Sequence, residues 1–146
     1  MEGEKINKYG LKIPCYLGTF IITDLVKLNI VKNDVSLIII HEQHAIAVYI
    51  TEQTIDLFDP LGPGNKKVYS PVFKFLKEHL PCKKLNICAK IQADKSNLCA
   101  YFALVFLKLR CKGYSFCEVI NLFSGDTKKN DEKIISYFDC LFKNCK

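Results

Sequence analysis

The chain has 146 residues, 49% of them hydrophobic and 25% charged, with a formal net charge of +6. That length and apolar fraction suit one domain with its own core and exclude disorder over the whole chain. No run reaches the roughly 18 apolar residues of a membrane-spanning helix, and the polar start MEGEKINKYG lacks the apolar stretch of a secretory signal, so a reducing cytosolic or nuclear compartment rather than secretion is expected.

After the polar start, residues 13–20 (IPCYLGTF) read as extended, with Gly18 permitting an unusual backbone angle. Val35 to Ile40 is a near-continuous aliphatic run, the pattern of a central strand covered on both faces. His44 to Ile50 and Thr54 to Phe58 are the next two strands, joined by Thr51-Glu52-Gln53 as a hairpin connection. Asp59-Pro60-Leu61-Gly62-Pro63-Gly64 reads as a turn, because its prolines and glycines break regular structure. Ser70-Pro71 reads as a helix start, with Val72, Phe75, Leu76 and Leu80 on one face up to Pro81. Leu85 to Ile91 is a further strand. Residues 98–110 (LCAYFALVFLKLR) are apolar on nearly every side and predict a buried helix at the centre of the domain. Ser115 and Glu118 make a capping box for a short helix through Phe123. Ser124-Gly125-Asp126 interrupts, and Asp131 to Phe142 predicts a last helix turning Ile134, Ile135, Phe138, Leu141 and Phe142 inward. Strands first and helices after, without repeats or a dividing linker, give a single α+β domain over residues 1–146.

The positive charge is uneven. Residues 1–80 carry nine lysines and nine acidic groups, whereas residues 81–146 carry eleven lysines and Arg110 against six acidic groups. Such asymmetry fits either a phosphate-binding, salt-sensitive DNA surface or a solvated lysine-rich face; one arginine in the whole chain argues against bidentate base reading. The eight cysteines, scattered through apolar segments, read as free thiols rather than a disulfide framework. No Cys-x-x-Cys occurs and His79-x-x-Cys82 has no second half, so no metal site is expected.

A cysteine nucleophile needs a base, a group that orients the base, and donors for the oxyanion. Cys99 is the best placed of the eight: it stands just after a helix cap at Ser96 or Asn97, where free amides and the dipole lower a thiol pKa. Cys111 falls at a helix C-terminus, and Cys140 and Cys145 fall in or just past the last helix. Of the three histidines, His44 opens a strand, His41 ends the preceding one, and His79 reads as solvent-facing late in a helix. Antiparallel pairing of 44–50 with 54–58 brings Asp59 beside His44, where its carboxylate can accept the ring N–H. Gln92, shortly before Cys99, can offer an amide to an oxyanion. Taken singly, each residue has a plain structural explanation; it is the set that points to chemistry.

The segments HAIAVYITEQTIDLFDPLG, IQADKSNLCAYF and CYLGTF resemble adenovirus-type cysteine proteases, in which a histidine opens a strand, an acidic residue sits in a Phe-acid-Pro-x-Gly turn, and a glutamine shortly precedes the nucleophile. The resemblance covers residues 15–20, 44–62 and 91–102, and the order His, Asp, Gln, Cys differs from that of papain-type enzymes. Ala45 stands where that family usually has Trp, Ala100 replaces the usual glycine, and the chain is shorter. These departures bear on the groove wall and the approach of substrate, not on a catalytic group.

The resemblance implies a papain-like fold of the adenovirus-protease type, with a small mixed or antiparallel sheet and a buried central helix carrying the nucleophile. It makes Cys99 the nucleophile, His44 the general base, Asp59 the orienting acid, and Gln92 with the Cys99 amide the oxyanion hole. It implies an endopeptidase that cleaves viral precursor polypeptides of capsid and core at glycine-containing or other small-residue sites during virion maturation, in the host nucleus or cytoplasm and the virion interior. No cofactor is required for the chemistry. A capsid-derived activating peptide, disulfide-linked through Cys82, and DNA are implied as activators. Two other readings stand beside it: a protease for ubiquitin-like modifiers, and a non-catalytic nucleic-acid-associated virion protein retaining the fold.

Overall fold

The computed structural model describes residues 1–30, 32–63 and 66–143; Gly64 of the expected turn and Cys145 lie outside them. The sheet is built around strand β3 (His44–Ile50), in which every residue after His44 is buried. Its alternation sorts side chains by size: Ala45, Ala47 and Tyr49 join one core, and Ile46, Val48 and Ile50 join the other. β2 (Val35–His41) pairs antiparallel with β3 from Val35↔Ile50 to His41↔His44. β4 (Thr54–Phe58) pairs with its other edge from Ile50↔Ile55 to Ala47↔Phe58. β1 (Tyr16–Ile21) adds parallel to β2, and β5 (Lys84–Ile87) parallel to β4, giving a five-stranded mixed sheet in chain order. Gly18, at φ +150°, sits at the register shift in β1.

Parallel neighbours need crossovers. A short 3-10 helix (Ile22–Lys27) lies between β1 and β2, and α2 (Lys66–His79) lies between β4 and β5. Both cover the same face, where Leu25, Val72, Phe75 and Leu76 pack with Leu37, Ile39, Ile46 and Val48. The opposite face receives α1 (Gly3–Gly10), α3 (Cys99–Cys111), α4 (Phe116–Ile120) and α5 (Thr127–Phe138). α3 lies against β3, where Ala45 and Ala47 are small enough to admit it. Phe102, Ala103, Leu104, Val105, Phe106 and Leu107 are all buried, which explains a helix without a polar face. The Phe106 ring stacks on Phe58 with centroids 4.3 Å apart, so truncating either ring would cost about 3–5 kcal/mol. The molecule is therefore an α+β domain with a mixed sheet between helical layers. Among the described residues no helix is long and apolar enough to cross a membrane.

Several elements differ from the sequence expectations. The polar start folds into α1, which buries Ile6 and contacts β1. α2 begins at Lys66, so Pro71 lies inside the helix rather than at its start; a proline there removes one i→i−4 bond. β5 ends at Ile87, and the chain to Ile91 is irregular. α4 has the expected Ser115–Glu118 capping box but ends at Ile120. The last helix starts at Thr127, where the Asp126 side chain accepts the Lys129 amide, and it continues as a π-helical segment over Asp139–Lys143. Ile134, Phe138 and Phe142 face inward as expected, whereas Ile135 is 37% exposed.

Candidate active site

β2 and β3 are joined by the two-residue turn Glu42-Gln43, with Glu42 in the left-handed region at φ +56°. His44 opens β3 immediately afterwards. Continuing the β3–β4 register past Ala47↔Phe58 places Asp59 one diagonal step from His44. There the His44 Nε2 and Asp59 Oδ1 lie 2.7 Å apart. The Leu61 amide donates to the same carboxylate oxygen at 3.0 Å, and the Gly62 amide to the Asp59 carbonyl at 2.9 Å, so the turn locks the acid. Asp59 is 2% exposed and His44 sits at the edge of the same enclosure.

Cys99 is the first residue of α3. Its cap is Leu98, without a side-chain hydrogen bond, rather than Ser96 or Asn97; Ser96 Oγ instead accepts the Leu98 amide at 3.2 Å. The Ala45 amide donates to the Cys99 sulfur at 3.4 Å, and the neutral thiol can donate to the Gln43 carbonyl, also at 3.4 Å. The turn that presents His44 therefore also holds the sulfur.

Electrostatics favour the charged pair. Burial pulls the His44 ring pKa down, but its bonds to Asp59 and Cys99 and the charges of both outweigh this and raise it to about 9. Burial pushes the Cys99 thiol up, but the His44 hydrogen bond, the Ala45 amide, the imidazolium charge and the Ala100 amide bring it below its ordinary value. With Nε2 committed to Asp59, Nδ1 is the nitrogen left to serve the thiol.

Two cavities of about 390 and 380 Å³ flank Cys99 and share His44, Glu42, Gln43 and Asn97 in their walls. The first is closed by Met1, Glu2, Gly3 and Ile6 at the start of α1, and the second by His41, Leu61, Gln92 and the Asp94–Ser96 segment. A larger apolar cavity, about 500 Å³, lies among Leu109, Val119, Leu122 and Tyr137 and includes none of the four candidate residues.

Gln92 reaches the second cavity although it is 1% exposed. Its Nε2 donates one hydrogen to the Ser96 carbonyl at 2.8 Å, leaving the other for a ligand. Its Oε1 is buried without a hydrogen-bond partner among the described residues. The backbone is fixed from two sides: Ile91 and Gln92 donate to the Pro60 carbonyl, and Asn130 Nδ2 donates to the Ile91 carbonyl at 2.9 Å. Asn130, fully buried in α5, also bonds both backbone groups of Ser124.

The structure thus brings His44, Asp59, Gln92 and Cys99 to one place. Cys82 stands apart, exposed in the turn after α2. His41 lines the second cavity, and His79 is exposed with Nδ1 donating to the Phe75 carbonyl at 2.9 Å. The described cysteines are all free thiols, and no group of three His, Cys, Asp or Glu side chains that could hold a metal ion occurs among the described residues. Sequence reasoning missed the Gln43 carbonyl, the α1 wall and Asn130. Asn130 had a signal, a polar residue in the i, i+4, i+8 stripe with Ile134 and Phe138.

No family model and no curated protein matches the chain. Among solved structures it is similar to the central domain of the uncharacterized Lpg1148 protein from Legionella pneumophila. The identity is 14%, the match covers 95% of this chain and 98% of that one, and the TM-score is 0.55. This is a likeness of fold.

Proposed function

We propose that the chain is a cysteine endopeptidase acting through Cys99, His44, Asp59 and Gln92. One observation carries the reading: a His44–Asp59 pair at 2.7 Å with its carboxylate buried, beside a helix-start cysteine whose thiol is shifted toward the thiolate. The Cys99 thiolate attacks the scissile carbonyl carbon. The resulting oxyanion takes hydrogen bonds from the Cys99 amide and the free N–H of Gln92. His44 gives its proton to the leaving amine, which departs and leaves an acyl thioester. Water then adds while His44 removes its proton, and collapse releases the acid and restores the thiolate–imidazolium pair. Asp59 holds the ring and stabilises its positive form.

The finer reading, a papain-like protease of the adenovirus type cleaving viral precursors at small-residue sites, is supported by the sequence resemblance and by the site's composition. Its activators would be DNA, through the lysine-rich second half, and a capsid-derived peptide coupled through Cys82, whose exposure suits such a linkage. The host nucleus or cytoplasm and the virion interior are the compartments this reading proposes.

The test is cleavage of glycine-containing peptides beside a ubiquitin-like substrate ending in Gly-Gly, using the native chain and Cys99→Ala. Selective peptide cleavage, lost in Cys99→Ala, is expected. Selective turnover of the ubiquitin-like substrate would shift the substrate class. Absence of turnover on both, together with ordinary Cys99 alkylation kinetics, would leave a binding protein.

A further inference from the structure

We propose that Cys15 and Cys111 form a site of reversible thiol oxidation that closes into an intramolecular disulfide. Their sulfur atoms lie 3.4 Å apart although the residues are 96 positions apart in sequence. Cys15 directly precedes β1 and Cys111 ends α3, and both side chains are half-buried. The only other hydrogen bond described for the Cys15 thiol is to Ser36 Oγ at 3.6 Å.

The two backbones are held before any bond forms. The Cys15 carbonyl accepts the Ser36 amide at 3.0 Å, tying it to β2. The end of α3 is fixed through Arg110, whose Nε donates to the buried Asp56 carboxylate at 2.6 Å and whose guanidinium lies over the Tyr49 ring at 4.6 Å. Since an S–S bond is about 2.05 Å long, closure asks the two sulfur atoms, now 3.4 Å apart, for an approach on the order of 1 Å.

The oxidant is a low-molecular-weight disulfide such as glutathione disulfide. The Cys111 thiolate attacks one of its sulfurs, forming a mixed disulfide and releasing one glutathione thiolate. The Cys15 thiolate then attacks the Cys111 sulfur and releases the second. Two protein thiols are oxidised, one glutathione disulfide is reduced, and the two protons end on the glutathione thiols. Burial pushes the Cys15 thiol up to about 11, against the lowering bond to Ser36, so ring closure accelerates as pH rises. Neither cysteine lines the cavities beside Cys99, and the closed loop encloses all four candidate catalytic residues. The site is thus independent of the protease reading.

The test treats Cys99→Ser, which lacks the competing low-pKa thiol, with glutathione disulfide at pH 8.5, a value of order set by the ordinary thiol pKa of about 8.5. Remaining thiols are alkylated, and the protein is digested without reduction. A Cys15–Cys111 linked peptide pair is expected, reversed by dithiothreitol and absent when either residue is also changed to Ser. The oxidised protein should melt about 5–15 °C above the same protein after reduction. That comparison uses one folded chain, so it does not depend on the serine variants folding. Glutathione retained on either residue without a cross-link, full alkylation of both after oxidation, or pairing of either with another cysteine would overturn the proposal.

Discussion

Pro60 accepts the backbone amides of both Ile91 and Gln92 through one carbonyl oxygen, each at 2.9 Å. The turn that holds Asp59 and the segment that carries Gln92 are therefore one mechanical unit. Gly62 keeps that contact close: its φ is +76°, and an added Cβ would lie 3.0 Å from the Lys90 nitrogen. Asp59 and Gln92 are expected to move together when the backbone of either segment is disturbed.

The thiolate–imidazolium pair sets a pH window. Cys99 is shifted down and His44 up to about 9, so iodoacetamide should alkylate Cys99 at a lower pH than an ordinary thiol requires. The proposed peptidase activity should fall as pH rises through about 9, when His44 loses its proton. Asp59→Asn removes a charge that raises the His44 pKa, so the alkaline limb should move to lower pH and turnover drop on the order of 10²-fold or more. Stability carries the same sign. His44's contribution is complete below its ordinary 6.5 and is lost as pH rises through about 9. A limb unmoved in Asp59→Asn would sink this account.

On the proposed mechanism, Gln92→Ala should lower kcat by about 10²–10³-fold with little change in KM, since its free N–H would act on the developing oxyanion. Cys99 alkylation should be unchanged, because the thiolate is made by His44. A variant with normal kcat would remove Gln92 from the mechanism.

Asn130→Ala strips three hydrogen bonds, one from the buried Ile91 carbonyl and two from the backbone of Ser124, which is itself exposed. Urea denaturation should show a loss of about 2–4 kcal/mol. The residual folded fraction should turn over more slowly, because the Gln92 segment has lost one of its two clamps.

Asp56 is fully buried, with Arg110 donating to one oxygen and Asn86 Nδ2 to the other at 2.9 Å. Asp56→Ala leaves the Arg110 charge without its partner and should cost about 3–5 kcal/mol, measured by chemical denaturation. Replacing Asp56 and Arg110 together by Leu and Met should cost less than Asp56→Ala alone.

Where local chemistry decides structure, the sequence was readable. β3 and β4 have the expected bounds because apolar runs end at turn-forming residues, and Ser115–Glu118 caps α4 through contacts four residues can make alone. The His44–Asp59 contact followed from the same hairpin. Tertiary packing decided the rest. α1 is polar on most positions and is fixed through Ile6 and the Tyr9 ring, which meets Phe138 edge-on at 4.9 Å. Pro71 suggested a helix start because proline favours the first turn, yet the helix extends before it. Asp126 looked like part of a break and is a cap. The cap at Leu98 was unreadable, since no side chain marks it.

The strand order has a consequence for how the molecule assembles in time. β2, β3 and β4 are consecutive and joined by short turns, so the ladder holding His44 and Asp59 closes through small loops. Such contacts form early in folding, whereas α3 must travel back across the sheet from β5. The acid–base pair is thus expected before the sulfur arrives, and substitutions within Ala47, Val48 and Leu57 should slow folding more than those in the first turn of α3. Cys99 would then meet the groups that lower its thiol pKa only once α3 has docked.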